Sequence, residues 1–391
     1  MRVLLYSHLF MPVPGGTQTI VFELAMGLAE WQSNHPDCGS NEVTVVTRTR
    51  ESSPQDDSLP FRLVRCPGLW ALIKLLRDAD IIHLAGPAML PLALSLALRK
   101  PVIVEHHGFQ VACPNGLLFY EPEQALCPGH FMAGNYGKCL KCNSVNVGST
   151  KSFSMLVLTN LRRCLSTKAD MNIMPTEWLG KVLKLRRMKT VHHGMLGSAD
   201  SSFAKPSPAT FAYHGRLVST KGVSLLIEAA ERLQKQGCQF RLKIIGDGPE
   251  FGRLKSLAAQ LGGRVEFLGH VPATELDDAL SDVATIVMPS LSGEVFGLVA
   301  SENMLRGKLL IVSDLGSLRE VVGDTGLVFR NGDAEDLATC MRKVVEQPAL
   351  ISSLGSAARA RAKKLFGRDA MIQDHLRVYQ GALRRSNGTM G

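Results

Sequence analysis

A cationic loop in the 391-residue sequence has the residues expected of a phosphate site. The segment YHGRLVSTKG, Tyr213–Gly222, lies between an apolar run typical of a buried strand and a helical pattern, and it carries Arg216 and Lys221. Two fixed cations beside a helix N-terminus are suited to bind a diphosphate. They would also stabilise the negative charge that grows on a diphosphate when a bond to it breaks. The alternative is a pair of solvated surface cations, which is common in loops.

A second segment supplies two carboxylates. PSLSGEVFGLVASENM, Pro289–Met304, ends a predicted strand and opens a helix near Phe296, with Glu294 before the helix and Glu302 eight residues later. That separation is roughly two helical turns. The two carboxylates could hold two hydroxyl-rich parts of one ligand, beside the free N–H groups of the first turn. A helix cap followed by an ordinary helical glutamate is the alternative.

Two further positions are weaker candidates. Gly15 and Gly16 precede a helical pattern, where backbone N–H groups can approach phosphate. They lack the G-x-G-x-x-G spacing of a dinucleotide site, which argues against nicotinamide binding. In the segment VEHHG, His106 or His107 at a strand end could contact a ligand, although a single histidine of this kind is more often structural.

Together these segments resemble the signatures of the retaining glycosyltransferases of family 4, which have the GT-B fold. Pro289–Met304 is similar to the family pattern of a strand, Pro-Ser and E-x-F-G-x-x-x-x-E-A-M, with Asn303 in place of the usual Ala. Tyr213–Gly222 is similar to the family motif G-R-L…K-G, with His214 at a position where a small or apolar residue is usual. The resemblance extends over nearly the whole chain. It implies an α/β chain with two Rossmann-like, doubly wound parallel-sheet domains that face an interdomain cleft.

The resemblance also implies a role for each matching residue. Arg216 and Lys221 would bind the donor diphosphate, Glu294 the sugar hydroxyls and Glu302 the ribose, while His107 would position the transferred sugar. The implied catalytic residues are His107, Arg216, Lys221 and Glu294. The implied donor-binding residues are Gly15, Gly16, Gly215, Arg216, Lys221, Gly246, Glu294, Phe296, Gly297, Leu298 and Glu302.

The implied reaction is the transfer, with retention, of a hexose-type sugar from a UDP- or GDP-sugar to a hydroxyl of a glycan, lipid-linked or small-molecule acceptor. The leaving phosphate would help to deprotonate the acceptor, and no metal would be needed for the chemistry. Asp78-Ala-Asp80 looks like a metal-binding D-x-D, but its position before the apolar run IIHL favours a helix terminus. Two alternatives stay open, a Rossmann-type oxidoreductase and a catalytically silent scaffold that binds a membrane or a partner.

The predicted elements position these residues in two domains. Apolar runs bounded by turns predict strands such as Val102–Glu105 and Leu309–Ser313. Strands alternate with helices from Met1, which predicts parallel βαβ units. We predict an N-terminal, acceptor-binding domain over 1–196, a linker over 197–210 and a nucleotide-sugar-binding domain over 211–367. A C-terminal helix over 368–391 would cross back to the first domain, as in the family. The new domain would begin with a strand at Phe211.

Composition and charge limit the partners. Hydrophobic residues make up 45% of the chain and the net charge is +9. Lys138–Lys189 holds 11 basic residues and only two acidic ones, which predicts either a solvated face or contact with an anionic membrane or acceptor. No nucleic-acid motif accompanies the charge, so no nucleic-acid partner is expected. No signal peptide or membrane-spanning run is recognisable, so we expect a cytoplasmic protein, peripheral on the inner face of the membrane if it binds lipid.

Four of the nine cysteines cluster in a loop over 113–142. Cys113, Cys127, Cys139 and Cys142 could close a tetrahedral zinc site, since the last two have C-x-x-C spacing. The alternative is a loop with buried thiols.

Overall fold

A computed structural model describes residues 1–34, 42–54, 56–196 and 207–388. The chain divides into two compact units. Unit 1 comprises 1–122, 128–196 and 365–391, and unit 2 comprises 123–127 and 197–364.

Unit 1 contains a seven-stranded sheet in the order β3-β2-β1-β4-β5-β8-β9. Every neighbouring pair is parallel. Its strands are β1 (Arg2–Ser7), β2 (Glu42–Thr47), β3 (Arg62–Arg65), β4 (Ile81–Ala85), β5 (Val102–Glu105), β8 (Met171–Met174) and β9 (Met188–Thr190). The short strand β6 (Phe119–Tyr120) also belongs to this unit. The apolar run of β5 is buried along its whole length, as a parallel strand covered on both faces requires.

Helices cover this sheet. They are α1 (Gly16–Asn34), α2 (Leu69–Asp78), α3 (Met89–Ala97), α4 (Tyr136–Val147), α5 (Ser149–Ser166), α6 (Glu177–Leu183) and α14 (Arg368–Gly388). The C-terminal helix α14 packs on α1, where the Arg368 guanidinium lies 2.9 Å from a Glu30 carboxylate oxygen. Asp78 ends α2, and Asp80 accepts hydrogen bonds from the Arg2 backbone and side chain. The D-x-D segment is therefore a helix terminus, as predicted.

Unit 2 contains a six-stranded parallel sheet in the order β12-β11-β10-β13-β14-β15. Its strands are β10 (Ser207–His214), β11 (Arg241–Ile245), β12 (Val265–Gly269), β13 (Val283–Met288), β14 (Leu309–Ser313) and β15 (Leu327–Phe329), and β7 (Ala125–Leu126) belongs to the same unit. Its helices are α7 (Val223–Lys235), α8 (Phe251–Leu257), α9 (Leu276–Ala279), α10 (Leu298–Leu305), α11 (Gly316–Val322), α12 (Ala334–Glu346) and α13 (Ala349–Leu365).

The two parallel sheets with their helices confirm the predicted fold class. The predicted strands Val102–Glu105 and Leu309–Ser313 occur as β5 and β14, but β10 begins at Ser207 and not at Phe211. Most of the predicted linker, 197–206, lies outside the described residues. Helix α10 begins at Leu298, two residues later than predicted, because Gly297 before it has a left-handed backbone with φ of 90°.

No helix in the described ranges is both long enough and apolar enough to cross a membrane.

A buried glycine in α13 allows a close backbone approach. A Cβ at Gly355 would lie 2.3 Å from the Gly307 carbonyl oxygen. We expect Gly355→Ala to lower the free energy of unfolding by about 1–3 kcal/mol, the usual cost of overpacking. Urea unfolding measures this. The control is Gly252→Ala in α8, where the new methyl group would have no atom within 4 Å. Its free energy of unfolding should stay equal to that of the wild type or rise by up to about 1 kcal/mol. Equal unfolding midpoints for Gly355→Ala and the wild type would contradict the packing argument.

Candidate functional site

The unit 2 sheet reverses its strand order between β10 and β13. From β10 the chain proceeds outward to β11 and β12, and from β13 it proceeds the other way to β14 and β15. In open parallel sheets such a reversal leaves a crevice at the carboxyl ends of the two strands, and ligands bind there. The loops that follow β10 and β13 carry Arg216, Lys221 and Glu294, which places these three predicted residues at that point.

The structure brings Lys221 and Glu294 into direct contact. The Lys221 ammonium pairs with Glu294 Oε1, which also accepts a hydrogen bond of 3.0 Å from the Ser290 hydroxyl. Gly222 makes this meeting of the two loops possible, because a Cβ there would lie 2.1 Å from the Pro289 carbonyl oxygen. Lys221 keeps about a quarter of its side chain exposed (26%), so it can still reach a ligand.

Arg216 lies on the same loop with an exposed side chain. Within the described part of the chain, no carboxylate pairs with its guanidinium, so its charge is available to an anion. The buried Tyr213 hydroxyl donates a 2.7 Å hydrogen bond to the Arg216 carbonyl and holds the loop. Burial, and next the negative charge of Glu294, raise the pKa of Tyr213, so this phenol stays protonated.

Close backbone contact in a neighbouring loop requires glycine at position 246. A Cβ at Gly246 would lie only 1.9 Å from the Gly215 carbonyl oxygen, and φ at Gly246 is 135°. The predicted donor-binding residues Gly215 and Gly246 are therefore adjacent. Gly215 also donates a hydrogen bond of 3.0 Å to the Ile245 carbonyl, which continues the contact of β10 with β11.

The first turn of α10 carries the remaining predicted donor residues. Phe296 is buried at 1% exposure, and a Cβ at Gly297 would lie 2.6 Å from a Leu318 methyl carbon. Leu298 is the first helical residue. Glu302 is half-buried in the same helix, and burial raises the pKa of its carboxyl group although Arg306 partly opposes the shift. Among the described residues, no hydrogen bond or ion pair joins the Glu302 side chain to Glu294 or Lys221.

His214, the departure from the family pattern, is half-buried at the end of β10. Burial, with the nearby Arg306 charge, lowers the pKa of its imidazole to about 4. The ring is therefore neutral at physiological pH and adds no positive charge to the loop.

The predicted residues of unit 1 lie at two other strand ends. Gly16 is the first residue of α1, and the Gly15 carbonyl accepts a 3.0 Å hydrogen bond from the Thr19 N–H. His106 and His107 follow β5. The His106 ring is fully buried, with Nε2 2.9 Å from Asn172 Oδ1, whereas the His107 ring stacks on His193 with centroids 5.1 Å apart.

Sequence reasoning missed a buried carboxylate beside His107. Glu105 is fully buried, and the Nε2 atoms of four histidines lie 3.0–3.7 Å from its oxygens: His83, His107, His193 and His375. Burial opposes the charge of this carboxylate, but His107 and the other three rings together hold the pKa of Glu105 well below its usual range. Burial also opposes a positive charge on His107, and it lowers the pKa of this ring to about 3. The adjacent histidine pairs 106–107 and 192–193 were a signal in the sequence. Nothing in their spacing pointed to His83 or His375.

The cysteine loop contains buried thiols. Cys113, Cys139 and Cys142 are each buried, and Cys113 Sγ lies 2.9 Å from Asn115 Oδ1. In the described ranges, the metal-ligating groups of three or more with mutually close atoms are His83–Glu105–His375 and Glu105–His107–His193. The cysteines do not form such a group, and zinc at this loop stays a prediction.

Comparison with known proteins identifies relatives over most of the chain. The family described as Glycosyl transferases group 1 matches residues 199–361. A glycogen synthase from Mycobacterium tuberculosis is 30% identical over 296 residues, which cover 73% of this chain and 70% of the relative. A sulfoquinovosyl transferase from Arabidopsis thaliana is 24% identical over 388 residues, covering 88% of this chain and 68% of the relative.

Solved structures share the fold. Anabaena HepE in complex with UDP superposes with a TM-score of 0.70 at 17% identity, covering 97% of this chain and 100% of HepE. A sucrose-phosphate synthase from Thermosynechococcus elongatus superposes with a TM-score of 0.68 at 21% identity, covering 98% of this chain and 99% of the synthase.

The buried Glu302 predicts a gain of stability on removal of its charge. Because its folded-state pKa is raised, stability from this group is present below the unfolded value of about 4.3 and is lost as pH rises through the folded value. We therefore expect Glu302→Gln to unfold at higher temperature than the wild type at pH 7–8, with the difference vanishing at about pH 4. Thermal unfolding across this pH range is the measurement. The exposed Glu266→Gln is the control and should follow the wild type at every pH. A difference for Glu302→Gln that does not change with pH would contradict the argument.

Proposed function

Because the chain belongs to the glycosyl transferases of group 1 and is a glycosyltransferase with the GT-B fold, we propose that it transfers a hexose-type sugar from a nucleotide-diphosphate sugar with retention. The acceptor is a hydroxyl of a glycan, a lipid-linked sugar or a small molecule. The observation that carries the proposal is the contact of Lys221 with Glu294 where the unit 2 sheet reverses its strand order. Membership of this family argues against the two alternatives, a Rossmann-type oxidoreductase and a catalytically silent scaffold.

The donor occupies the carboxyl ends of β10 and β13. Arg216 and Lys221 bind the diphosphate, since both cations lie on one loop and Arg216 is exposed without a carboxylate partner in the described chain. Glu294 accepts hydrogen bonds from the sugar hydroxyls, and the Ser290 hydroxyl holds its carboxylate in place. Glu302 binds the ribose hydroxyls. Its raised pKa reflects missing solvation, which two ribose hydroxyl donors would supply.

The backbone completes the donor site. Gly297 and Leu298 present N–H groups at the start of α10, along the sugar and the phosphate. Gly215 and Gly246 approach each other so closely that no side chain fits between them, which leaves their backbone open to the nucleotide. Gly15 and Gly16 offer N–H groups at the start of α1.

The reaction breaks the bond from the anomeric carbon to the diphosphate oxygen. The acceptor oxygen forms its new bond on the same face of the sugar, and its proton passes to the departing phosphate. Arg216 and Lys221 stabilise the charge that grows on the diphosphate in the transition state, where such fixed charges have their largest effect. His107 contacts the transferred sugar. The choice of His107 over His106 is supported by the Asn172 contact that already occupies His106 Nε2.

The exposed residues of α4 and α5 support the proposal that the acceptor lies at an anionic membrane. Helix α5 buries Ser152 and Thr159 and exposes Phe153 (60% exposed), Val157 and Leu161 at helical spacing. Exposed lysines of Lys138–Lys189 lie on the same two helices. An exposed apolar stripe with basic residues beside it is the pattern of a helix that lies on a lipid surface.

A donor panel tests the proposed chemistry. With UDP-glucose, UDP-N-acetylglucosamine and GDP-mannose, we expect nucleotide release with one donor, and an α-linked product from an α-linked donor by NMR. Lys221→Met should lower kcat by about 100- to 1,000-fold, because it removes a charge that acts on the leaving group. The matched control is Lys235→Met at the exposed end of α7, which should keep wild-type activity. A β-linked product, or full activity of Lys221→Met, would refute the assignment.

Liposome binding tests the membrane contact. Lys→Gln changes at Lys138, Lys141 and Lys151 should weaken binding to phosphatidylserine vesicles by about 100-fold at low salt, since each basic residue near the surface contributes about 1 kcal/mol. Co-sedimentation measures the binding.

The control for that experiment removes three exposed lysines from unit 2 helices, at Lys235, Lys255 and Lys343. It changes the net charge equally and should bind vesicles as the wild type does. Equal weakening of both triple variants would mean that net charge, and not this face, attracts the protein to the vesicles.

A further inference from the structure

Three metal-ligating side chains converge in the interior of unit 1. They are His83 in β4, Glu105 at the end of β5 and His375 in α14, and each is at most 1% exposed. Glu105 Oε2 lies 3.0 Å from His83 Nε2 and 3.5 Å from His375 Nε2, and the three ligand atoms all lie within 4.8 Å of one another. Polar groups this deeply buried are destabilising unless each finds a partner.

The hydrogen bond of His375 determines which of its two ring nitrogens carries the proton and which carries the lone pair. His375 Nδ1 lies 2.8 Å from the Met371 carbonyl oxygen, which can only accept, so Nδ1 carries a proton. In the neutral ring, Nε2 then carries a lone pair and faces Glu105 Oε2, a second acceptor. His375 Nε2 and Glu105 Oε1 have no hydrogen-bond partner among the described residues. A cation must then lie between His375 Nε2 and Glu105 Oε2, either a second proton on the His375 ring or a metal ion.

His83 presents its Nε2 to the same carboxylate. The Tyr379 hydroxyl lies 2.8 Å from His83 Nδ1, and His83 Nε2 lies 3.0 Å from Glu105 Oε2. Metal-binding histidines commonly ligate through one nitrogen and hydrogen-bond an oxygen through the other. The separations of Glu105 Oε2 from the two Nε2 atoms, 3.0 and 3.5 Å, also fit, because ligands at about 2.0–2.1 Å from a tetrahedral zinc ion are about 3.3 Å apart.

We propose that His83, Glu105 and His375 bind one divalent transition-metal ion of the zinc type, through His83 Nε2, His375 Nε2 and the Glu105 carboxylate. Two imidazoles select such an ion over magnesium or calcium, which prefer oxygen ligands. The carboxylate neutralises part of its charge within the protein interior. The ligands join two strands of the sheet to the C-terminal helix, so the ion is structural and fastens α14 to the unit 1 sheet. This site is separate from the proposed donor residues of unit 2.

Metal analysis of the full untagged chain tests the proposal. After dialysis against a weak chelator, elemental analysis by inductively coupled plasma mass spectrometry should find one zinc-type ion per chain. His375→Gln should reduce the metal content at least tenfold. The matched control His192→Gln changes another histidine of unit 1, whose Nδ1 lies 2.8 Å from the Pro175 carbonyl, and it should keep the ion.

Cobalt substitution of the wild type keeps the test independent of the folding of any variant. Cobalt(II) on two imidazoles and a carboxylate should give visible d–d bands without the near-ultraviolet charge-transfer band of a thiolate ligand. A metal-free chain that also fails to bind zinc or cobalt would overturn the proposal, since a proton would then be the cation between His375 and Glu105. A strong thiolate band, with the ion retained by His375→Gln, would place it on the cysteines and would overturn the proposal as well.

Discussion

In a parallel sheet that is covered on both faces, polar side chains can reach a ligand only from the ends of the strands. In unit 2, β13 and β14 are buried at every residue, so no charged group could face a ligand from within them. The charges of this unit that we assign to donor binding therefore lie on the loops after β10 and β13 and on the helix that follows. The reversal of strand order between these two strands opens the space that those loops border.

Close backbone packing then fixes how the loops meet. Gly222 lies against the Pro289 carbonyl, and Gly246 lies against the Gly215 carbonyl, in both cases at distances that a side chain would not permit. Backbone hydrogen bonds from Leu291 and Ser292 to the Thr220 carbonyl join the same two loops. Contacts of this kind hold Lys221 and Glu294 at fixed positions before any ligand arrives, and such preorganisation is what makes fixed charges effective in a transition state.

The sequence predicted what depends on local pattern and missed what depends on tertiary contact. Buried strands such as β5 and β14 were placed within a residue, because apolar runs bounded by turns identify them. Lys221 and Glu294 were chosen as functional residues from their motifs, but their direct ion pair joins residues 73 positions apart and has no local signal. The Tyr379–His83 hydrogen bond spans 296 positions and was equally invisible.

The two charged centres differ in what their burial allows. Lys221 keeps about a quarter of its side chain exposed (26%), so its ammonium can contact a phosphate group while Glu294 stays buried beside it. Glu105 is fully buried, and loss of a group that compensates its charge would be far more costly, because the carboxylate has no solvent to replace it. Its partial exposure thus suits Lys221 to a ligand that binds and leaves in each turnover. Full burial suits the second cluster to a permanent link, because nothing that holds Glu105 can leave without destabilising the packing of β4, β5 and α14 around it.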